Sequence, residues 1–225
     1  MISELLTDLR AYKENTLDPH PIFTRIAAGD FTRFHYLAYL RETYHLVKHT
    51  PRYLTAAADR LATTDQRLSG YFRRFCAEET GHELLCIKDI DALGENVDRV
   101  LSGEMNPGVW GMVTQCYYWA SHGNPVALLG DTFATEELGV ARGLEAAKVV
   151  EATLHIPREA TNFLQVHGSE DAAHLNAAAQ AIEWYADNSN QVSDIRYATK
   201  MTYRNYGQLF TDVLELGDFW RKRTV

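Results

Sequence analysis

Apolar residues recur at intervals of three and four through almost the whole chain, and no segment sustains the alternation of a half-buried strand. The pattern predicts an all-α protein of seven or eight helices. The first covers about 2–16 and stops at Leu17-Asp18-Pro19-His20-Pro21, where two prolines forbid continuation. Asp30 and Thr32 open a long helix to about 61, kinked at Pro51, and another runs from about 64 to 93 with Thr64 as N-cap and Gly94 as stop. Helices over about 109–121, from Pro125 to about 151, over 158–166, 169–186 and 192–216 complete the set. No repeat or linker divides the chain, so one helical domain over 1–225 is expected.

Composition narrows the function. Thirty acidic against 22 basic residues give a net charge of −8, which repels phosphate backbones and anionic membranes and favours a small-molecule or protein-borne substrate. Cys76, Cys86 and Cys116 form neither a disulfide framework nor a thiolate zinc spacing. With no signal peptide and no run of about 18 apolar residues, a cytoplasmic location is expected.

Certain carboxylates fall on the apolar faces. Each helical residue advances about 100°, so Phe72, Phe75, Cys76, Cys86, Ile90 and Leu93 lie within about 60° of Glu79, and Arg73, Arg74 and Lys88 lie opposite. His82 follows one turn on. A buried Glu needs compensation, and either a metal or a hydrogen bond to His82 supplies it. Glu136 shares a face with Leu129, Phe133, Val140 and Ala147; Asp131, Arg142 and Glu145 point away, and Glu137 sits at the edge of the arc. His167, Asp171 and His174 share one face if their helix is continuous, while Gly168-Ser169 offers a place to break it. Glu42, His45 and His49 form a strip flanking an apolar arc, either part of the same cluster or a polar seam between helices. Carboxylates with imidazoles and no thiolates suit iron or manganese better than structural zinc.

Glu79-Thr-Gly-His82, the Asn124-Pro-Val-Ala-Leu-Leu-Gly-x5-Glu136 stretch and His167-x3-Asp171-x2-His174 together resemble the heme-oxygenase-like di-iron oxidases and oxygenases, relatives of the TenA and PqqC folds. The resemblance spans about 30–215. It implies a heme-oxygenase-like bundle that holds two irons per chain, one of them weakly in some members, without heme. The implied ligands are Glu42, Glu79, His82, Glu136, His167, Asp171 and His174, with Glu79 and Asp171 as bridges. Dioxygen is then the co-substrate, and the reactions are N-oxygenation or C–C cleavage of a small amine, amino acid or aliphatic acid. An external electron donor and a second copy of the chain, as a homodimer, are compatible partners. The doubled acid Glu136-Glu137 departs from the family pattern and leaves the ligand open by one position.

Two other classes compete. A TenA-like thiaminase would use Cys116 as nucleophile, and a non-catalytic ligand-binding bundle would leave Glu79 and Glu136 as unexplained buried charges. Trp110, Tyr117, Tyr118 and Trp119 are candidates for a cavity wall, although plain core is their commoner use.

Overall fold

The computed structural model describes residues 2–224, with the side chains of all of these except 2, 170, 171 and 224. Among the described residues there are α-helices and two 3-10 turns, with no strand. The helices are α1 (Ile2–Thr16), α2 (Pro21–Ala28), α3 (Arg33–Val47), α4 (Thr50–Leu61), α5 (Gln66–Glu79), α6 (Glu83–Ala92), α7 (Val97–Leu101), α8 (Pro107–Ser121), α9 (Leu128–Leu154), α10 (Asn162–Glu183) and α11 (Ser189–Thr224).

Among the described residues eleven helices stand where seven or eight were expected, because chain breaks split two long ones, two short ones were not foreseen, and the expected 158–166 and 169–186 helices merge in α10. Pro51 starts α4 and does not kink a continuous rod: it sits in the first turn, where a missing N–H costs nothing. Gly81 adopts φ +95°, and the chain between α5 and α6 turns there. α2 begins at Pro21 with His20 Nδ1 accepting from Ile22 N at 3.1 Å. Asp65, not Thr64, caps α5 by accepting from Leu68 N at 3.0 Å.

The C-terminal α11 runs through the bundle against α1, α3, α8 and α9, and α9 packs along α10. One core cluster gathers Tyr36, Leu40, Ala134, Tyr203, Leu209 and Val213; a second gathers Leu54, Leu68, Phe72, Leu129, Phe133 and Ile195, and a small third one holds Val47, Cys86 and Phe163. Each fully buried Leu or Phe contributes roughly 1.5–3 kcal/mol. Glu136 falls between Phe133, in the second cluster, and Leu138, in the first.

The glycine expected to break the 158–186 region has a different use. α10 is continuous through Gly168, and a Cβ there would come within 2.6 Å of Leu144 N, while one on Gly143 would lie 2.8 Å from Gly168 Cα. The two glycines let α9 and α10 approach backbone to backbone. That contact sets Glu136 opposite the histidines of α10.

Candidate metal centre

Glu79 is the last residue of α5 and is buried, at 6% exposure. The turn at Gly81 returns the chain so that His82, at the N-terminal boundary of α6, brings Nδ1 to 3.2 Å from Glu79 Oε2. From α10, His167 Nε2 lies 3.2 Å from the same His82 nitrogen. His167 Nδ1–H donates to Phe163 O at 2.9 Å, which fixes the tautomer and presents Nε2 as the lone-pair nitrogen; its ring stacks on Phe163 with centroids 4.0 Å apart.

The other oxygen of Glu79 faces elsewhere. Oε1 is 4.0 Å from His174 Nδ1, which is 3.4 Å from Glu136 Oε2. Two groups therefore have ligand atoms within 4.8 Å of one another: Glu79, His82 and His167, and Glu79, Glu136 and His174. Glu79 belongs to both. The His174 ring meets Phe75 edge-on at 5.4 Å, and its Nε2 lies 3.5 Å from the more exposed Glu78. Its Nδ1 is buried without a well-formed hydrogen bond. The imperfect hydrogen bond to Glu136 is the largest influence on His174 and raises its pKa above the ordinary imidazole value, against the lowering by burial.

The donor set fits iron or manganese: two buried carboxylates and three imidazoles, one with a backbone-fixed tautomer. The side chains of the doubled acid part company. Glu136 faces His174, whereas Glu137 accepts from Arg10 Nε at 2.8 Å and from the Tyr203 hydroxyl. The side chain of Asp171 lies outside the described residues.

Glu42 is not brought to these groups. It is fully buried, with Oε2 accepting from Asn106 N and Oε1 from Asn106 Nδ2, each at 3.1 Å, and with Arg41 beside it. Arg41 donates to Ser102 O at 2.9 Å and Glu104 O at 2.6 Å, so the pair fastens the loop before α8. The strip is the polar seam, and its oxygens are already engaged. His49 Nδ1 is 3.2 Å from the Tyr117 hydroxyl. His45 Nε2–H donates to Leu101 O at 3.2 Å, and its Nδ1 is 2.9 Å from Lys48 Nζ.

That seam carries a pH test. Burial first, then Lys48, lowers the His45 pKa from 6.5 to about 4. A depressed folded pKa contributes stability that is present above the unfolded value and is lost as pH falls through the folded one. The melting temperature of wild type should therefore drop between pH 6.5 and 4 more steeply than that of His45→Gln, measured as the difference between the two thermal-melt profiles. Parallel profiles would show that His45 does not carry the effect.

A cavity of about 170 Å³ reaches Glu79, Glu136 and His167. Its wall is mostly apolar and comes from α2 to α5 and α8 to α11, including Phe23, Leu46, Met112, Leu164 and Phe210. The four aromatics of α8 do not line it: Trp110 and Tyr118 are exposed, and Tyr117 and Trp119 pack against the second core cluster. Arg142, which the wheel turned away from Glu136, does line the cavity. The α9 stripe facing it is centred on Gly139, about 60° from each of them, and a wheel centred on Glu136 hides this. Asp89 also escaped the sequence reading: buried in α6, it accepts from Asn162 N and Nδ2 at 2.8 Å and from Phe163 N at 2.9 Å, capping the helix that carries His167 and His174. Its signal was the Asn162-Phe163 helix start, but the cap comes from 73 residues away.

Residues 37–207 match the family described as iron-containing redox enzyme. No curated protein matches the sequence. Among solved structures, a domain of unknown function with a heme oxygenase-like fold from Shewanella denitrificans OS217 is similar at TM-score 0.89 and 20% identity, over 98% of this chain and 95% of that one. A TenA homologue from Pyrococcus furiosus is similar at TM-score 0.73 and 18% identity, over 95% of this chain and 100% of that one. A CADD-like protein of unknown function from Nostoc punctiforme PCC 73102 is similar at TM-score 0.72 and 14% identity, over 96% and 97%. The fold is heme-oxygenase-like and all-helical, and among the described residues no helix is long and apolar enough to cross a membrane.

Proposed function

The chain belongs to the family of iron-containing redox enzymes, and from that premise we propose that it is a non-heme di-iron oxidase or oxygenase that uses dioxygen on a small amine, amino acid or aliphatic acid. One observation carries the reading: the two oxygens of the Glu79 carboxylate face different histidine groups. His82 and His167 would hold one iron and Glu136 and His174 the other, with Glu79 shared and Asp171, from the same helix as His174, as a further ligand. Bound ferrous iron would supply the electrons that reduce dioxygen.

The remaining work falls to the chain. Carboxylates stabilise the higher oxidation state, and neutral imidazoles limit the charge at the centre. Phe163 and Phe75 hold the rings of His167 and His174 in place. The apolar wall excludes water and presents a substrate to the carboxylate–histidine end. Electrons for turnover come from an external donor.

Anaerobic loading with excess ferrous iron should give close to two irons per chain, and oxygen addition should then produce an optical change with oxygen consumption. Stoichiometric zinc with indifference to oxygen would overturn the reading. The rival reading keeps one observation in its favour, since Cys116 lines the same cavity. Burial, and then Asp131, push its thiol well above the usual range, which disfavours a nucleophilic thiolate. Cys116→Ser should keep both iron uptake and oxygen consumption; loss of turnover with full metal would favour the thiaminase-like alternative.

A further inference from the structure

The cavity has a cation near its α2 side. Arg142 follows Glu136 by six residues on α9, a rise of about 9 Å. Its guanidinium carbon lies 4.9 Å from the centre of the Phe23 ring, and its Nη2 is 3.6 Å from Asp18 Oδ1. Asp18 is already paired with Lys13, at 3.0 and 3.1 Å. Nε of Arg142 is buried and makes no hydrogen bond, although 39% of the side chain is exposed. A buried guanidinium N–H without an acceptor is costly, and such groups ordinarily find one. The other charged or titratable groups on the wall are Glu79, Asp131, Glu136, His167, Cys116 and the phenols of Tyr36, Tyr39, Tyr53 and Tyr206. Asp131 is engaged by Thr202 at 2.7 Å and Gln115 at 3.5 Å. Among the described residues the cavity therefore has an unsatisfied cationic donor on Arg142, an apolar middle and a carboxylate–histidine end.

We propose that the substrate is an amphipathic carboxylate whose acid group docks on Arg142, through Nε–H and the guanidinium fork, with its aliphatic body along the apolar wall and its far end at Glu79, Glu136 and His167. A carboxylate fits better than a phosphate, because a dianion would meet Asp18 at one side and the acidic groups beyond. This deepens the reading above and rests on it only for the end at which reaction occurs. The acid group is placed away from the metal ligands, so the assignment specifies an orientation as well as a class.

The test uses metal-free protein and titration calorimetry with octanoate, 1-octanol and octylamine. Wild type should bind octanoate at least roughly tenfold more tightly than 1-octanol, and any octylamine binding should be insensitive to Arg142→Gln. Arg142→Gln should weaken octanoate by roughly 10- to 100-fold while leaving 1-octanol unchanged, and Arg142→Lys should fall between, since it keeps the charge but not the fork. Equal affinity for octanoate and 1-octanol in wild type, unchanged octanoate binding by Arg142→Gln, or no binding of any probe would overturn the proposal. The wild-type comparison needs no variant, so a misfolded substitution does not blunt it. Ferrous titration of the same proteins separates the two readings. Arg142→Gln should load iron as wild type does, and failure of wild type to load iron would sink the di-iron reading while leaving the octanoate result to stand or fall alone.

Discussion

Glu79→Ala is expected to lose most of its iron, while His174→Ala keeps roughly one iron per chain and loses oxygen consumption. The asymmetry follows from position: Glu79 belongs to both groups of ligand atoms and His174 to one. Metal analysis after anaerobic ferrous loading reads the first difference, and an oxygen electrode reads the second. Equal loss of metal in the two variants would remove the bridging role. The competing explanation is that Glu79 is a buried acid held for its hydrogen bond to His82, 3.2 Å away. Metal-free Glu79→Gln separates these. With its charge gone, repulsion from Glu136 is relieved, so the variant should melt no lower than metal-free wild type. If it melts well below wild type and still binds iron, Glu79 is structural and the ligand assignment fails.

Asp89→Ala should destabilise the protein by about 2–4 kcal/mol, lowering the melting temperature by about 4–16 °C. Three donors at the start of α10, Asn162 N, Asn162 Nδ2 and Phe163 N, lose their acceptor in a site where Asp89 is fully buried. Asp89→Asn keeps one acceptor oxygen and should cost about half as much. Exposed Lys88→Ala, one residue away, should stay within about 0.5 kcal/mol of wild type. Chemical denaturation of the three variants checks the order. Similar losses for Asp89→Ala and Lys88→Ala would show that α10 is set by its packing on α9 alone. Because His167 and His174 ride on α10, Asp89→Ala should also weaken iron binding at temperatures where the fold persists.

The three-to-four-residue period was sufficient for the helical class, because burial of one face is a local property of a repeating backbone. The same arithmetic singled out Glu79 and Glu136, whose faces are apolar whatever packs on them. It also paired Glu79 with His82, although the helix assumed between them is broken at Gly81, where a residue without Cβ takes a left-handed turn. Pro51 and Gly168 were visible as breakers but misjudged in effect: a proline is compatible with a first turn, and a helical glycine also serves close approach.

Partners across the fold were beyond the sequence. Glu42 has a buried position like that of Glu79, yet Asn106, 64 residues on, takes its oxygens. Glu136 and Glu137 differ by one position, and Arg10 and Tyr203 draw the second away. Arg142 looked solvent-facing until α2 supplied Phe23 and the cavity wall. A helix's own periodicity determines which side chains leave water. Which of them meet a cation, a histidine or a cavity depends on how helices distant in sequence pack together, and only the tertiary structure decides that.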